Sequence, residues 1–252
     1  MAISNKVNQS FDQKKSRFSI KYILAEVFLI TAGILIALAI DNWNTDRSDQ
    51  KKIHTYLIEI KKEFEQEQKY LLEQFIPAQK KRIELNKRAL SIIQNKQVDS
   101  TDVLQDLLYT MTHFFVYLPT GPMYEEFMDQ NLLYKIRNED LKFYLKQGNE
   151  ASKDFERWFE FYKVEYENIY KPFMVKNLNY SEIVLEEDGY FKGGAPTNYR
   201  KLFDNLEFWN IVNFKGERMR KMLQRCESIL PAYKYGINLL NKELNLDVDQ
   251  IK

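Results

Sequence analysis

At 252 residues the chain could hold one or two domains, but a basic tail and an apolar segment near its start leave a remainder sized for one. Charged residues at 29% and aromatics at 14%, with only 8 Gly and 6 Pro, suit long helices with aromatic cores and leave too few turns for an all-β fold. A net charge of +1 offers no strong field for gripping nucleic acid, and the lone cysteine, Cys226, excludes an intrachain disulfide scaffold and a multi-Cys zinc site.

Residues 1–21 show no apolar period and read as a disordered tail bearing Lys6, Lys14, Lys15, Arg17 and Lys21 against Asp12. Such a tail has no room for a signalling output domain. Residues 22–44, YILAEVFLITAGILIALAIDNWN, carry one ionisable group between Ile23 and Ile40, namely Glu26. At about 1.5 Å per residue that helix reaches ~27 Å, close to the ~30 Å hydrocarbon core, and the segment is predicted to span a bilayer. Five basic residues precede it, and only Arg47, Lys51 and Lys52 fall within the twenty residues after Ile40, a bias that predicts a cytoplasmic N-terminus. A cleaved signal peptide is the competing reading, since Ala37-Leu38-Ala39 has the small-x-small form of a cleavage site; the long apolar run and the lack of a preceding helix breaker speak against it.

Within the span, Ala25, Ala32 and Ala39 recur every seven residues, and Gly33 and Ala37 form a small-xxx-small pair. Small residues at those intervals let two helix backbones approach, the means by which spans associate in lipid; the plain alternative is that alanine fills apolar segments. Glu26, near the cytoplasmic edge and within reach of Lys21, is a candidate functional acid. Trp43, flanked by Asn42 and Asn44, marks the opposite interface.

The seven-residue phase continues through Ile53, Leu57, Ile60, Phe64 and Leu71, with Glu67 and Gln74 interrupting, and predicts a stalk-like helix over 45–75 or, equally, the buried face of a bundle helix. Pro77 then starts a second helix with a basic cluster at Lys80, Lys81, Arg82, Lys87 and Arg88, read as a solvated face or a lipid-headgroup contact. Asp99, Ser100 and Thr101 offer caps for a helix carrying Leu104 and Leu108. Two prolines around Gly121 break the chain, and Thr120 is placed to cap Met123–Gln130.

Asn138 precedes a long helix to about Asn177, on which Phe155, Phe159, Tyr162, Tyr166, Tyr170 and Phe173 stand four, three, four, four and three apart. Rings at helical spacing read first as core; if part of the stripe faces a cavity, Tyr162, Tyr166 and Tyr170 form a small-ligand or glycan surface. Residues 181–196 are irregular, where Ile183, Val184 and Leu185 before Asp188-Gly189 permit a short β-hairpin or a mobile loop. Helices over Asn198–Asp204 and Leu206–Ile229 follow, and Pro231 restarts a last one. The fold class is therefore mainly α: one N-terminal transmembrane helix, then an extramembrane helical bundle over 45–252.

No catalytic, cofactor-binding or metal-binding residue is assigned. His54 and His113 lie in neither an H-E-x-x-H nor a Glu-x-x-His pattern, and Gly193-Gly194 lacks the strand, lysine and helix of a phosphate cradle. Cys226 has Arg220, Lys221 and Arg225 near it in sequence but no histidine partner, and reads as unreactive; Glu125-Glu126 and Glu186-Glu187 read as surface charge.

Through Glu26 and GILIALAIDNWN (Gly33–Asn44), LPTGPMYEEFMDQNLLYKIRNEDLKFYL (Leu118–Leu145) and Asn198-Tyr199-Arg200, the chain resembles an uncharacterised family of single-span bacterial membrane proteins catalogued only as a domain of unknown function. Members usually carry Gly before the acidic residue and Gln at the position of Ala39, so packing at Ala25 need not match theirs. The resemblance implies a Gram-negative inner membrane with the helical domain in the periplasm, and it brings no activity. The expected function is a non-enzymatic, membrane-anchored interaction or scaffold domain, self-associating or bound to an envelope protein; the alternative is a sensor-like ligand-binding domain that works with a separate signalling protein.

Overall fold

The computed structural model describes residues 20–113, 115–119, 121–183 and 193–250, and among them every regular element is helical. The chain divides into a unit ending at Gln50 and a second beginning at Lys51. In the first, the early part of α1 (Ile20–Tyr70) is the one stretch among the described residues long and apolar enough to cross a membrane, and none of it is buried. Leu24, Leu29, Ile30 and Ile34 stand exposed around it, so apolar side chains cover every face.

In the second unit, Ile53, Leu57, Ile60 and Phe64 of α1 are buried in the chain's own core. The seam read as a stalk is thus a packed face from Ile53 onward, and it is not free to pair with a second copy. Nor does the helix end before Pro77. It passes through a π-helical turn, Leu71–Phe75, into α2 (Ile76–Gln94), with the Ile76 N–H donating to the Leu71 carbonyl. Proline lacks an N–H and its ring presses on the carbonyl four residues back; a turn closed five residues back relieves both. The same device recurs where α5 (Glu139–Glu165) meets α6 (Lys171–Asn177) through a π turn at Tyr166–Tyr170, two residues before Pro172.

After α2 the chain reverses at Lys96, whose φ of 52° is left-handed, while the Gln97 N–H reaches back to the Ile92 carbonyl at 3.1 Å. Then come α3 (Thr101–Met111), α4 (Pro122–Asp129), α7 (Tyr180–Ile183), α8 (Tyr199–Phe203) and α9 (Leu206–Gln250). Ser100 precedes α3 without a side-chain cap hydrogen bond, contrary to expectation, because a 3-10 turn at Val98–Ser100 leads into the helix. Asn138 does cap α5, accepting from the Leu141 N–H at 3.1 Å. Pro231 lies inside α9 and restarts nothing. It sits on the exposed side, as does Glu227, whose carbonyl loses the N–H it would have met. Thr120 and the hairpin residues Val184, Leu185, Asp188 and Gly189 lie outside the described residues.

Two apolar cores hold this unit. One gathers Ile76 of α2 with Met222, Cys226, Tyr233 and Leu240 of α9; the other gathers Ala89, Ile92 and Ile93 with Phe208, Ile211 and Val212. The order of these contacts makes α2 and α9 antiparallel. A polar layer lies between, where Gln79 donates to the Met219 carbonyl at 3.1 Å and Asn86 to the Val212 carbonyl at 2.9 Å, both side chains fully buried. Surface pairs such as Lys142–Glu139 and Lys171–Glu167 are screened by water and contribute little, against ~1.5–3 kcal/mol for burying one Leu or Phe. The cores therefore decide the fold.

Candidate functional site

A cavity of about 320 Å³ opens in the second unit, at the small end of the range for ligand sites. α1 contributes Glu63, Phe64 and Glu67; the turn into α4 contributes Pro119, Gly121, Tyr124 and Glu125. α5 supplies Tyr144, Gln147, Gly148, Ala151 and Ser152, and α9 supplies Ile229, Ala232 and Tyr233.

Glu63 is fixed by the start of α4. Its Oε1 accepts from the Met123 N–H at 2.8 Å and its Oε2 from the Tyr124 N–H at 3.1 Å. A carboxylate from another helix thus does the work of the missing side-chain cap, and its charge favours the helix N-terminus. Burial raises the Glu63 carboxyl above the ordinary range, the two N–H groups oppose that, and Glu125 and Glu67 add to the rise. One turn on, Glu67 accepts from the Tyr117 hydroxyl at 2.7 Å, and that hydroxyl lies 2.8 Å from the hydroxyl of Tyr233. An ionised carboxylate only accepts, so Tyr117 gives its single proton to Glu67 and Tyr233 donates to Tyr117.

The walls are aromatic. Phe64 packs at 5.8 Å from the Tyr124 ring, 6.2 Å from Tyr144 and 5.5 Å from Tyr233. Tyr124 donates to the Leu145 carbonyl, and Tyr144 to the Ala232 carbonyl at 2.8 Å. Two helix-interior glycines make this closeness possible. A Cβ at Gly148 would lie 2.9 Å from the Tyr124 hydroxyl, and one at Gly236 would overlap the Tyr144 ring.

The polar layer forms a second group. Lys215 Nζ donates to the His113 carbonyl at 3.0 Å and lies 5.7 Å from the centre of the Tyr170 ring, while Arg82 lies 3.7 Å over Phe115. Burial, and then the Arg82 charge, push the Lys215 ammonium down to about 8. Nearby, Arg218 holds Glu165 through two nitrogens, at 3.0 and 2.6 Å.

Of the residues named from the sequence, Ala25, Gly33, Ala37 and Ala39 are exposed along α1, Ala32 is half-buried, and nothing lies within 4 Å of a Cβ built on Gly33. Glu26 is exposed, and Trp43 is exposed beneath the Arg47 guanidinium. Tyr162 and Tyr170 are buried and Tyr166 is half-buried, and none of the three lines the cavity. Cys226 is fully buried, and burial pushes its thiol up to about 12. Within the basic cluster, Lys80 pairs with Glu227 and Lys87 with Glu84. Glu125, read as surface charge, borders the cavity. Sequence reasoning misses Glu63 and Glu67 as site residues; the signal it offers is a carboxylate, Glu67, in the buried phase of α1.

The fold and the cavity define a class: a helix able to span a membrane, and a helical unit holding an acidic, aromatic-walled pocket. No family profile, no curated protein and no solved structure matches the chain.

Proposed function

We propose that the protein is a membrane-anchored, non-enzymatic helical domain that holds a small molecule beside the bilayer. One observation carries this reading: the cavity, whose walls are set by hydrogen bonds linking α1, α4, α5 and α9. The sequence supports an address in a bacterial inner membrane, with the N-terminus cytoplasmic and a bundle-like domain in the periplasm, as in the uncharacterised single-span family it resembles. In this reading the domain works with a separate signalling protein. Thermal-shift screening of the full chain against envelope metabolites and glycans tests the reading. A ligand that stabilises the wild type and not Ala151→Phe, which fills the half-buried cavity wall, supports it. A screen without a stabilising compound argues against it.

A second reading, self-association or scaffolding of an envelope complex, rests on the seven-residue repeat of Ala25, Ala32 and Ala39 and on the uncovered Gly33 and Ala37 pair. Crosslinking in native membranes should trap oligomers that Gly33→Leu abolishes. A solitary monomer would sink this reading and leave the first intact.

A further inference from the structure

We infer that the cavity takes a small organic cation, an ammonium group on an apolar or aromatic frame, an assignment that rests on the small-ligand reading above. The described residues lining it include three carboxylates, Glu63, Glu67 and Glu125, and no lysine, arginine or histidine. The space is therefore electrically one-sided, and a ligand entering it meets acceptors.

The tyrosines sharpen this. Tyr124 and Tyr144 donate their protons to the carbonyls of Leu145 and Ala232, and Tyr233 is engaged with Tyr117. Their hydroxyls are thus spent on the protein, and what they offer a ligand is ring surface. An anion, or a sugar that needs donors as well as acceptors, would find few of the former, the Gln147 amide and the Ser152 hydroxyl, and no cationic side chain. A cation finds carboxylates, and rings whose negative faces attract it. Among the described residues no three of His, Cys, Asp and Glu converge closely enough to share a metal ion. Carboxylates dispersed around an apolar space suit an extended organic cation better than a bare one.

Three probes with nearly the same frame and different charge decide the matter: 2-phenylethylammonium, 2-phenylethanol and 3-phenylpropanoate. They are titrated calorimetrically into the full chain in nanodiscs of zwitterionic lipid at fixed ionic strength. The ammonium should bind roughly tenfold more tightly than the alcohol, with the carboxylate weakest. The double variant Glu67→Gln/Glu125→Gln keeps Glu63, whose two oxygens are already engaged by the Met123 and Tyr124 N–H groups, and should erase the preference for ammonium over alcohol while the alcohol still binds. Equal binding of ammonium and alcohol to the wild type, or a preference that survives in the double variant, overturns the charge assignment and leaves the small-ligand reading standing. Tighter binding of the carboxylate overturns it outright. Failure of all three at millimolar concentration also overturns it, and the broader screen with Ala151→Phe then judges the cavity on its own.

Discussion

Glu63 and Tyr124 meet across 61 positions of sequence, the carboxylate on α1 accepting the Tyr124 amide hydrogen at 3.1 Å. The contact joins two helices and orients the Tyr124 ring toward Phe64. Removing the acceptor strands two N–H groups at the start of α4. Glu63→Ala should therefore cost about 1–2 kcal/mol in urea unfolding, the range for a lost N-cap, and Glu63→Gln, which keeps one acceptor oxygen, should cost less.

Tyr144 occupies the space that a side chain at position 236 would need. Alanine is ordinarily better than glycine inside a helix by about 1 kcal/mol. Here Gly236→Ala should instead destabilise by about 1–3 kcal/mol, because the ring is held by its bond to the Ala232 carbonyl and cannot swing away freely. Combined with Tyr144→Leu, the substitution should cost far less than the two separate losses together, which a double-mutant cycle in urea would measure.

Lys215 gives the domain a pH signature. Its ammonium titrates near 8 when folded and near 10.5 in a free chain, so between those values the unfolded state binds more protons and stability rises with pH. Below about 8 the lysine is charged in both states, and the folded form carries the whole cost of burying it near Arg82. Lys215→Met should be the more stable protein at pH 7, by about 1–3 kcal/mol, with the gap narrowing from pH 8 and closing towards 10.5. Paired urea titrations across that range check it. A gap that widens with pH would contradict the assignment.

Cys226 should resist maleimide in the folded protein at neutral pH and react fully once urea exposes it, since burial both covers the thiol and holds it protonated. Labelling of the folded chain at the rate of a free thiol would show that this part of the core opens.

The elements legible in the sequence are those set by neighbours along the chain. The apolar phase from Ile53 to Phe64, the Asn138 cap and the aromatic run from Phe155 to Phe173 are local patterns, and each appears as a helix face or terminus. The cavity is not legible, because it depends on contacts between distant positions: Glu63 with α4, Tyr117 with Glu67 and Tyr233, Tyr144 beside Gly236. No spacing rule relates residues so far apart. Prolines mislead in a particular way. Pro77 and Pro231 read as helix starts, whereas one comes after a widened turn and the other lies on the exposed side of a continuous helix.

Those widened turns leave a trace in the spacing of buried positions. Leu57, Phe64 and Leu71 keep a step of seven, and the next members are Gln79, Asn86 and Ile93, one residue late; Phe155 and Tyr162 keep the same step, and Tyr170 again comes one late. A single extra residue in a helix would ordinarily rotate everything after it by about 100° and carry a core face into water. Each π turn absorbs that residue, so the chain behaves as though two insertions had been accommodated without repacking the helix downstream of either. Excising one residue from 71–75, with Pro77→Ala to restore the missing donor, should then straighten the path into ordinary α-helix and return Gln79, Asn86 and Ile93 to the partners they already have.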